Sequence, residues 1–274
     1  MKNSHQIYLI SDSTGETIDR IFMALKAQFL NFEYELNQFS FTRTENQILA
    51  ILKEAKLKEN PIVLYTIVNS KLAKFLADET RKKNIPCFGV LGDLILNFSK
   101  ILNQRATHEP SAQHVLDEDY YKRIEAIQFT MNHDDGNSTS SVLESDIVLV
   151  GVSRTSKTPT SIYLANKGLK TSNIPLVNNM TIPNSLIENK NACVVGLITE
   201  PERLYDIRKN RLSSLKENEN TDYTNLEKIR DEVEKSKKIF KKNRWPTIDV
   251  TRKSVEETAA SIIKIYEIKS KENG

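Results

Sequence analysis

The stretch SDIVLVGVSRTSKTP, residues 145–159, decides the fold of the second half of the chain. Its apolar run, Ile147 to Val150, is short and stops at Gly151, as a buried strand of a parallel sheet does. The following Gly-x-x-x-x-Ser-Lys-Thr matches the phosphate-binding loop pattern, with Ser156 at the position of the second glycine. Such a loop surrounds an anion with backbone N–H groups and precedes a helix whose positive end points at the same place. The stretch therefore predicts a strand, a nucleotide-phosphate loop and a helix.

The residues of this loop have distinct expected roles. Lys157 would reach the terminal phosphates of a nucleotide, and the Thr158 hydroxyl could hold Mg²⁺. Pro159 suits the first turn of a helix, because its missing N–H is not needed there. The alternative is a polar turn in which Thr158 is an ordinary N-cap. We expect the nucleotide to be bound by Gly151, Val152, Ser153, Arg154, Thr155, Ser156, Lys157 and Thr158.

Length and composition favour a globular protein of about two domains, because the chain has 274 residues, of which 39% are hydrophobic and 27% charged. The formal net charge of +3 is too small to indicate a nucleic-acid or membrane partner. The apolar run at 7–10 is too short for a signal peptide or a membrane span, so we expect a cytoplasmic protein. Cys87 and Cys193 lie far apart in apolar segments, which favours buried thiols over a disulfide or a zinc site.

Strands and helices alternate along the sequence, which predicts mostly parallel sheets with helices on both faces. Predicted strands cover 6–10, 34–41, 62–67, 87–90, 146–150, 173–177, 193–198 and 247–250. Predicted helices cover 16–29, 45–57, 71–83, 93–105, 118–131, 159–167, 202–215, 226–242 and 255–269. Thr44 with Gln47 and Ser254 with Glu257 form capping boxes.

The least periodic stretch, 105–115, is the expected domain boundary. The predicted fold is α/β, with an N-terminal Rossmann-like parallel-sheet domain over residues 1–108 and a C-terminal α/β domain of the P-loop kinase type over residues 109–274. The lysines late in the helix at 226–242 complement its dipole, so they indicate a solvated helix end rather than a nucleic-acid surface.

Three further groups of polar residues are candidates for function. Ser13 and Thr14 follow the first strand and either bind an anion or a peptide or cap the next helix. The turn HDDG at 133–136 offers Asp134 and Asp135 as a base or a metal-holding carboxylate, with His133 orienting one of them; such a turn also forms without any catalytic role. Arg208 and Arg211, three residues apart on a predicted helix, either clamp phosphate or form a solvent-facing stripe.

Several motifs together resemble those of the pyruvate, phosphate dikinase regulatory proteins. The matches follow one another in order and span nearly the whole chain, and Thr160 departs from them where an aliphatic residue is expected. They are SDSTGET at 11–17, DEDY at 117–120, KRIEAI at 122–127, HDDG at 133–136, IVLVGVSRTSKTP at 147–159, SIYLAN at 161–166, PERL at 201–204, IR at 207–208, WP at 245–246 and IDVT at 248–251.

The resemblance implies an unusual pair of activities. Family members phosphorylate a threonine of the dikinase with ADP as donor, which inactivates it, and remove that phosphate with inorganic phosphate, releasing pyrophosphate. Lys157 with Asp134 or Asp135 would then be catalytic, and the loop at 151–158 would hold the β-phosphate of ADP or inorganic phosphate. Mg²⁺ is expected from the phosphate chemistry, although no dedicated metal-ligand set is visible.

Alternatives to this interpretation stay open on sequence grounds. A sister family performs the same chemistry on phosphoenolpyruvate synthase. A regulatory module could bind ADP and act by association alone, and a small-molecule kinase could use the same loop. A homodimer is possible, and no nucleic acid or membrane is expected among the partners.

Overall fold

The computed structural model describes residues 4–113, 117–134, 141–176, 186–187, 192–216 and 221–273. The chain divides into two compact units, Met1–Val115 and Leu116–Gly274; the sequence placed this division after residue 108. Each unit contains one four-stranded sheet in which all neighbouring strands are parallel. The described residues form nine α-helices and eight strands. The predicted mixed α/β class with parallel sheets is therefore confirmed.

The first unit alternates strand and helix without interruption, and its sheet has the order β2-β1-β3-β4. Its elements are β1 (His5–Ser11), α1 (Glu16–Lys26), β2 (Tyr34–Phe39), α2 (Glu45–Ala55), β3 (Pro61–Thr66), α3 (Ser70–Lys82), β4 (Cys87–Gly89) and α4 (Gly92–Leu102).

β1, which lies between β2 and β3, is buried on both of its faces. Tyr8 and Ile10 pack against α2 and α3 in one apolar cluster. Ile7 and Leu9, which alternate with them, pack against α1 in another. Because successive residues of a strand point to opposite faces, a near-continuous apolar run is what a strand with helices on both sides requires. The prediction of helices on both faces is confirmed here.

The second unit has the sheet order β6-β5-β7-β8, with β5 and β7 in the centre. All five residues of β5 are buried. The elements are α5 (Glu118–Asn132), β5 (Ile147–Gly151), α6 (Lys157–Ala165), β6 (Thr171–Pro175), β7 (Cys193–Ile198), α7 (Pro201–Leu215), α8 (Leu226–Asn243), β8 (Thr247–Asp249) and α9 (Val255–Asn273).

Helices also cover both faces of the second sheet. Ile147 and Leu149 of β5 pack with residues of α6 and α9. Val148 and Val150 face the other way and share a cluster with Phe240 of α8. The quoted stretch therefore forms the strand that the sequence predicted, and this strand directs the following loop to the carboxyl edge of the sheet.

The predicted elements all occur, with ends that shift by a few residues, and both capping boxes form. Thr44 accepts from the backbone of Gln47, and Ser254 does so from Glu257. Two capping alternatives are wrong: the N-cap of α1 is Gly15, not Ser13 or Thr14, and the N-cap of α6 is Ser156, not Thr158.

The two cysteines differ in their burial. Cys193 is buried, as expected, but Cys87 is half-buried because it lies on β4, the edge strand of its sheet. Desolvation still raises the pKa of the Cys87 thiol.

No helix in the described part of the chain is both long and apolar enough to cross a membrane.

Helix α4 differs from the other helices in its burial. None of its side chains is buried, and all of its residues belong to the described part of the chain. Its exposed apolar side chains are Leu94, Leu96, Phe98, Ile101 and Leu102.

Candidate phosphate-binding site

The loop between β5 and α6 begins at a glycine that tolerates no side chain. A Cβ atom on Gly151 would lie 2.7 Å from the carbonyl oxygen of Leu197 and 2.7 Å from Oγ1 of Thr155. The first of these atoms belongs to the backbone of the neighbouring central strand, so it cannot move without disturbing the sheet. Glycine is therefore required where the chain leaves β5 and turns back over its edge.

Two residues of the loop have left-handed backbone conformations. Arg154 has φ of 73° and Ser156 has φ of 58°. Ser156 stands at the second glycine position of the pattern and adopts the positive φ for which glycine is favoured. The substituted residue thus keeps the turn, at the cost of backbone strain that a glycine would not have.

The side chains of the loop close over its own backbone. Oγ1 of Thr155 donates to the carbonyl of Val152 at 3.0 Å, and Nζ of Lys157 donates to the same carbonyl at 3.0 Å. Both side chains are buried, with Lys157 only 5% exposed. The ammonium group is therefore held inside the curve of the loop by the protein's own backbone.

Backbone donors of the same loop remain available. Within the described residues, the N–H groups of Ser153, Arg154, Thr155 and Ser156 donate to no other backbone group. No side chain caps the N-terminus of α6, and its first turn carries no acidic residue. Free N–H groups, a helix N-terminus and a buried ammonium group together favour a bound anion.

An open cavity of about 310 Å³ lies over the loop. Its charged side chains, among the described residues, are cationic. The lining consists of Ser153, Arg154, Ser156, Lys157, Thr158, Pro159, Pro175 and Ile207. A phosphate group in this cavity would meet positive charge from the side chains and from the helix dipole.

The acidic turn predicted to serve the loop comes to it through Asp134. Oγ1 of Thr158 donates to Oδ1 of Asp134 at 3.0 Å, and the Asn173 amide on β6 donates to the same oxygen. These donors fix the carboxylate beside the first turn of α6. Asp135 and Gly136 lie outside the described residues, so their predicted role remains a prediction.

His133 is placed by its own helix. Its Nδ1 lies 2.6 Å from the carbonyl oxygen of Phe129, and the two rings stack with centroids 3.9 Å apart. The imidazole Nδ1 is thus bound to the backbone one turn earlier. The predicted role of His133 in orienting one of the two aspartates remains a prediction, because Asp135 lies outside the described residues.

Arg208 bonds to the backbone of the loop and does not line the cavity. The residue is 1% exposed, and its Nη2 contacts Oε2 of Glu232 at 2.7 Å. Nη2 also donates to the carbonyl of Ser153 at 3.4 Å, and Nη1 donates to that of Tyr223 at 3.1 Å. Arg211 is exposed. The solvent-facing interpretation is therefore wrong for Arg208, which is buried and does not line the cavity, whereas the phosphate clamp remains a prediction.

Tyr223 is a site residue that the sequence analysis missed. The Arg208 guanidinium lies over its ring at 4.6 Å, and its hydroxyl accepts from Nε of Arg154 at 3.1 Å. It lies 3.4 Å from Oγ of Ser153 as well. Tyr223 therefore couples the buried Arg208 to the left-handed turn at Arg154. No spacing or motif in the sequence links residues about 70 positions apart.

Metal ligands are sparse around the loop. The described residues contain no group of three or more His, Cys, Asp or Glu side chains that could hold a metal ion. Thr158 and Asp134 bring a hydroxyl and a carboxylate together at the start of α6. Mg²⁺ commonly takes one or two protein oxygens and fills its other positions with water and substrate phosphate, so these two residues fit a nucleotide-bound ion.

These features define a mixed α/β protein whose carboxyl sheet edge carries a cationic loop suited to phosphate. The Kinase/pyrophosphorylase family model matches residues 7–263. The chain belongs to that family of kinase-type enzymes.

Curated relatives agree with this assignment over the full length. A Putative pyruvate, phosphate dikinase regulatory protein of Pelagibacter ubique (strain HTCC1062) is 66% identical over 100% of both chains. One of the same description from Erythrobacter litoralis (strain HTCC2594) is 46% identical over 97% of this chain and 95% of the relative.

A solved fatty acyl CoA synthetase of Mycobacterium tuberculosis is 14% identical over 76% of this chain and 41% of that chain, with a TM-score of 0.22.

Proposed function

We propose that this protein is a bifunctional regulator of pyruvate, phosphate dikinase. It phosphorylates a threonine of the dikinase with ADP as donor, which inactivates the dikinase. It also removes that phosphate with inorganic phosphate, which restores the dikinase and releases pyrophosphate. The names of the full-length relatives support the partner, and the family description supports a kinase joined to a pyrophosphorylase.

The observation that carries the proposal is the ordered cradle at 151–158, with its buried Lys157 and its contact to Asp134. In the kinase direction this cradle holds the β-phosphate of ADP, because the loop N–H groups, Arg154 and Lys157 supply the positive potential around it. Lys157 neutralises charge that develops on the transferring phosphoryl group, where such stabilisation has its largest effect on rate.

The chemistry in the kinase direction is a single displacement. The threonine Oγ forms a bond to the β-phosphorus while the bond from that phosphorus to the oxygen bridging it to the α-phosphate breaks. AMP leaves with the bond electrons, and the threonine proton passes to a carboxylate. Two donors already bond to Oδ1 of Asp134, so we assign the proton transfer to Oδ2.

The same residues serve the second reaction. Inorganic phosphate occupies the cradle and its oxygen attacks the phosphorus of phosphothreonine. The bond between that phosphorus and the threonine oxygen breaks, and the carboxylic acid returns a proton to the oxygen. Pyrophosphate leaves, so one anion site and one acid–base group account for both activities.

A bound Mg²⁺ would shield the phosphate charges, with Thr158 and Asp134 as its protein oxygens. Asp134 is therefore a candidate for metal holding as well as for proton transfer. The two roles differ in their signatures, because loss of a metal ligand raises the Mg²⁺ requirement, whereas loss of a base changes the pH–rate profile.

The direct test uses dikinase and ADP labelled in the β position. We expect label on a dikinase threonine, and then labelled pyrophosphate when inorganic phosphate is added. Label on phosphoenolpyruvate synthase instead would reassign the partner. Binding of ADP without transfer to either protein would support a sensing module.

Lys157→Ala should abolish both activities while Trp fluorescence and circular dichroism stay native. Lys167→Ala is the matched control, because Lys167 lies just beyond the same helix with its ammonium 5.8 Å from the Tyr163 ring centroid. Near-normal transfer by a folded Lys157→Ala protein would remove the loop from the mechanism.

Asp134→Asn keeps an oxygen that can accept from Thr158 but removes the carboxylate. We expect at least one activity to fall by about 100-fold or more, the usual scale for a positioned acid or base, with ADP binding retained. Asp135→Asn, measured in parallel, separates the two aspartates. Unchanged rates in both variants would make the turn structural.

Donor choice tests the phosphate assignment itself. A cradle that grips the β-phosphate as the transferring group should prefer ADP, since ATP places an extra phosphate where the threonine must approach. Initial rates with ADP and ATP, each freed of the other enzymatically, compare the two. A clear preference for ATP would favour an ordinary kinase.

A further inference from the structure

A second cavity lies in the first unit, at the carboxyl ends of β1 and β3. In the sheet order β2-β1-β3-β4, the connection after β1 leads to β2 on one side, and the connection after β3 leads to β4 on the other side. The carboxyl ends of β1 and β3 therefore form a topological switch point. Open parallel sheets form their ligand crevices at such switch points. The cavity has a volume of about 220 Å³ and is lined by Ser11, Asp12, Ser13, Thr14, Gly15, Thr17, Thr66, Val68, Leu91, Glu109, Ser111, Ala112 and Gln113.

Hydrogen bonds hold the loop after β1 in place along one wall of this cavity. Helix α1 begins after Gly15, which has φ of 89° and no side-chain cap on the helix. Ser13 is turned away from the helix, since its hydroxyl accepts from Ser111 at 2.9 Å. Nε of Arg43 donates to the Asp12 carbonyl at 2.9 Å, and Nη2 reaches Ser111 at 3.4 Å. The cavity therefore has a wall fixed by hydrogen bonds.

Two buried polar side chains in the lining lack a full set of partners. Thr66 is 4% exposed, and its hydroxyl makes no hydrogen bond with the described part of the chain. Asp12 is 2% exposed; Oδ2 accepts from the N–H of Val68 at 2.8 Å, whereas Oδ1 has no partner among the described residues. Neither oxygen is fully enclosed by the protein, so both are open to a hydrogen bond from within the cavity. A ligand that donates hydrogen bonds to both oxygens would complete their bonding.

The charge of the lining selects the kind of ligand. The lining residues include two carboxylates, Asp12 and Glu109, and no Lys, Arg or His, and the nearby Arg43 guanidinium is bonded to the Asp12 carbonyl and to Ser111. This balance disfavours phosphate, in contrast to the cationic cavity over residues 151–158. Hydroxyl groups from the ligand suit both Oδ1 of Asp12 and Thr66, while Val68 and Leu91 offer an apolar wall for a flat ring.

We propose that this cavity binds a nucleoside through its ribose diol, with the diol donating to Asp12 and the base against Val68 and Leu91. The lining residues of this cavity all belong to the first unit, and none of them is shared with the cavity over residues 151–158. The proposed site would make the first unit a binding module for a neutral nucleoside, independent of the proposed kinase chemistry.

Calorimetric titration of the full chain with adenosine tests this, with 2′-deoxyadenosine and inorganic phosphate as comparison ligands. Adenosine should bind, 2′-deoxyadenosine should bind more weakly, and Thr66→Val should weaken adenosine by about 2- to 10-fold. Asp12→Asn, which keeps an oxygen for the Val68 N–H, should weaken it by about tenfold or more.

Thr80→Val is the matched control, because Thr80 is equally buried in the same unit but its hydroxyl bonds within α3. It should leave adenosine affinity unchanged. The proposal is overturned if adenosine does not bind, if Thr66→Val and Asp12→Asn leave its affinity at the wild-type value, or if phosphate alone binds in an Asp12-dependent way. None of these outcomes depends on whether the chain transfers phosphate.

Discussion

Two ion pairs join α7 to α8, and they have nearly the same length. Arg208 and Glu232 approach to 2.7 Å, and Arg230 and Glu202 approach to 2.8 Å. Their burial differs widely. The side chains are 1% and 16% exposed in the first pair, and 54% and 61% exposed in the second. The pairs therefore separate the effect of burial from that of geometry.

Removing the acid from each pair should have unequal effects. Glu232→Ala leaves a buried guanidinium without its counter-charge, a change that costs about 3–5 kcal/mol. Arg208 keeps its bonds to two backbone carbonyls, so the expected loss of unfolding free energy is about 3 kcal/mol, at the lower end of this range. Glu202→Ala removes a solvent-screened pair and should lower the unfolding free energy only slightly.

The single tryptophan of the chain makes the measurement specific to the second unit. Trp245 packs near Phe240 of α8, with ring centroids 6.4 Å apart. Its fluorescence during urea unfolding should give a midpoint that falls much further for Glu232→Ala than for Glu202→Ala. High salt should shrink the smaller effect and hardly change the larger one. Equal losses in the two variants would refute the reasoning from burial.

Three other perturbations follow from the local geometry. Gly151→Ala should lower the unfolding free energy by about 2 kcal/mol and abolish ADP binding. Gly196→Ala, whose methyl group would meet the Phe240 ring at 2.5 Å, should also destabilise the protein but leave ADP binding intact, and loss of binding in both variants would contradict this. Ser156→Gly should raise thermal stability by about 0.5–1 kcal/mol by relieving positive φ, and a lower melting temperature would exclude strain there. Hydrogen bonds from Lys82 and Lys83 hold the pKa of Glu79 at about 2, so its NMR titration should be centred there, and a midpoint near 4.5 would exclude the interaction. The contribution of these bonds to stability should be full above about pH 4.5 and should disappear as the pH falls toward 2.

Local patterns in the sequence predicted the elements well, because their causes are local. The run at 193–198 is a strand with the predicted ends, and the Thr44 capping box forms as its spacing indicated. The strand, loop and helix around Gly151 also occur in the predicted order. Alternation of apolar residues, turn residues and caps is sufficient for this level of description.

Contacts between distant elements could not be predicted in the same way. Arg208 and Arg211 lie near one another on α7, but α8 covers only the first of them. Cys87 has apolar neighbours in sequence, and its partial exposure follows from the edge position of β4. Asn173 meets Asp134 because the residues that follow α5 lie along β6, where the N–H of Asn173 donates to the His133 carbonyl at 3.3 Å, an arrangement that sequence order does not specify.

The exposure of α4 has a consequence for hydrogen exchange. An isolated helix of 11 residues is marginal in water, and α4 gains little from burial because none of its described side chains is buried. Its amide protons should therefore exchange with solvent deuterium through local opening, far faster than those of α8, whose buried residues include Ile229, Val233 and Phe240. The end of the first unit would then fluctuate in and out of helical structure while its central strands stay protected.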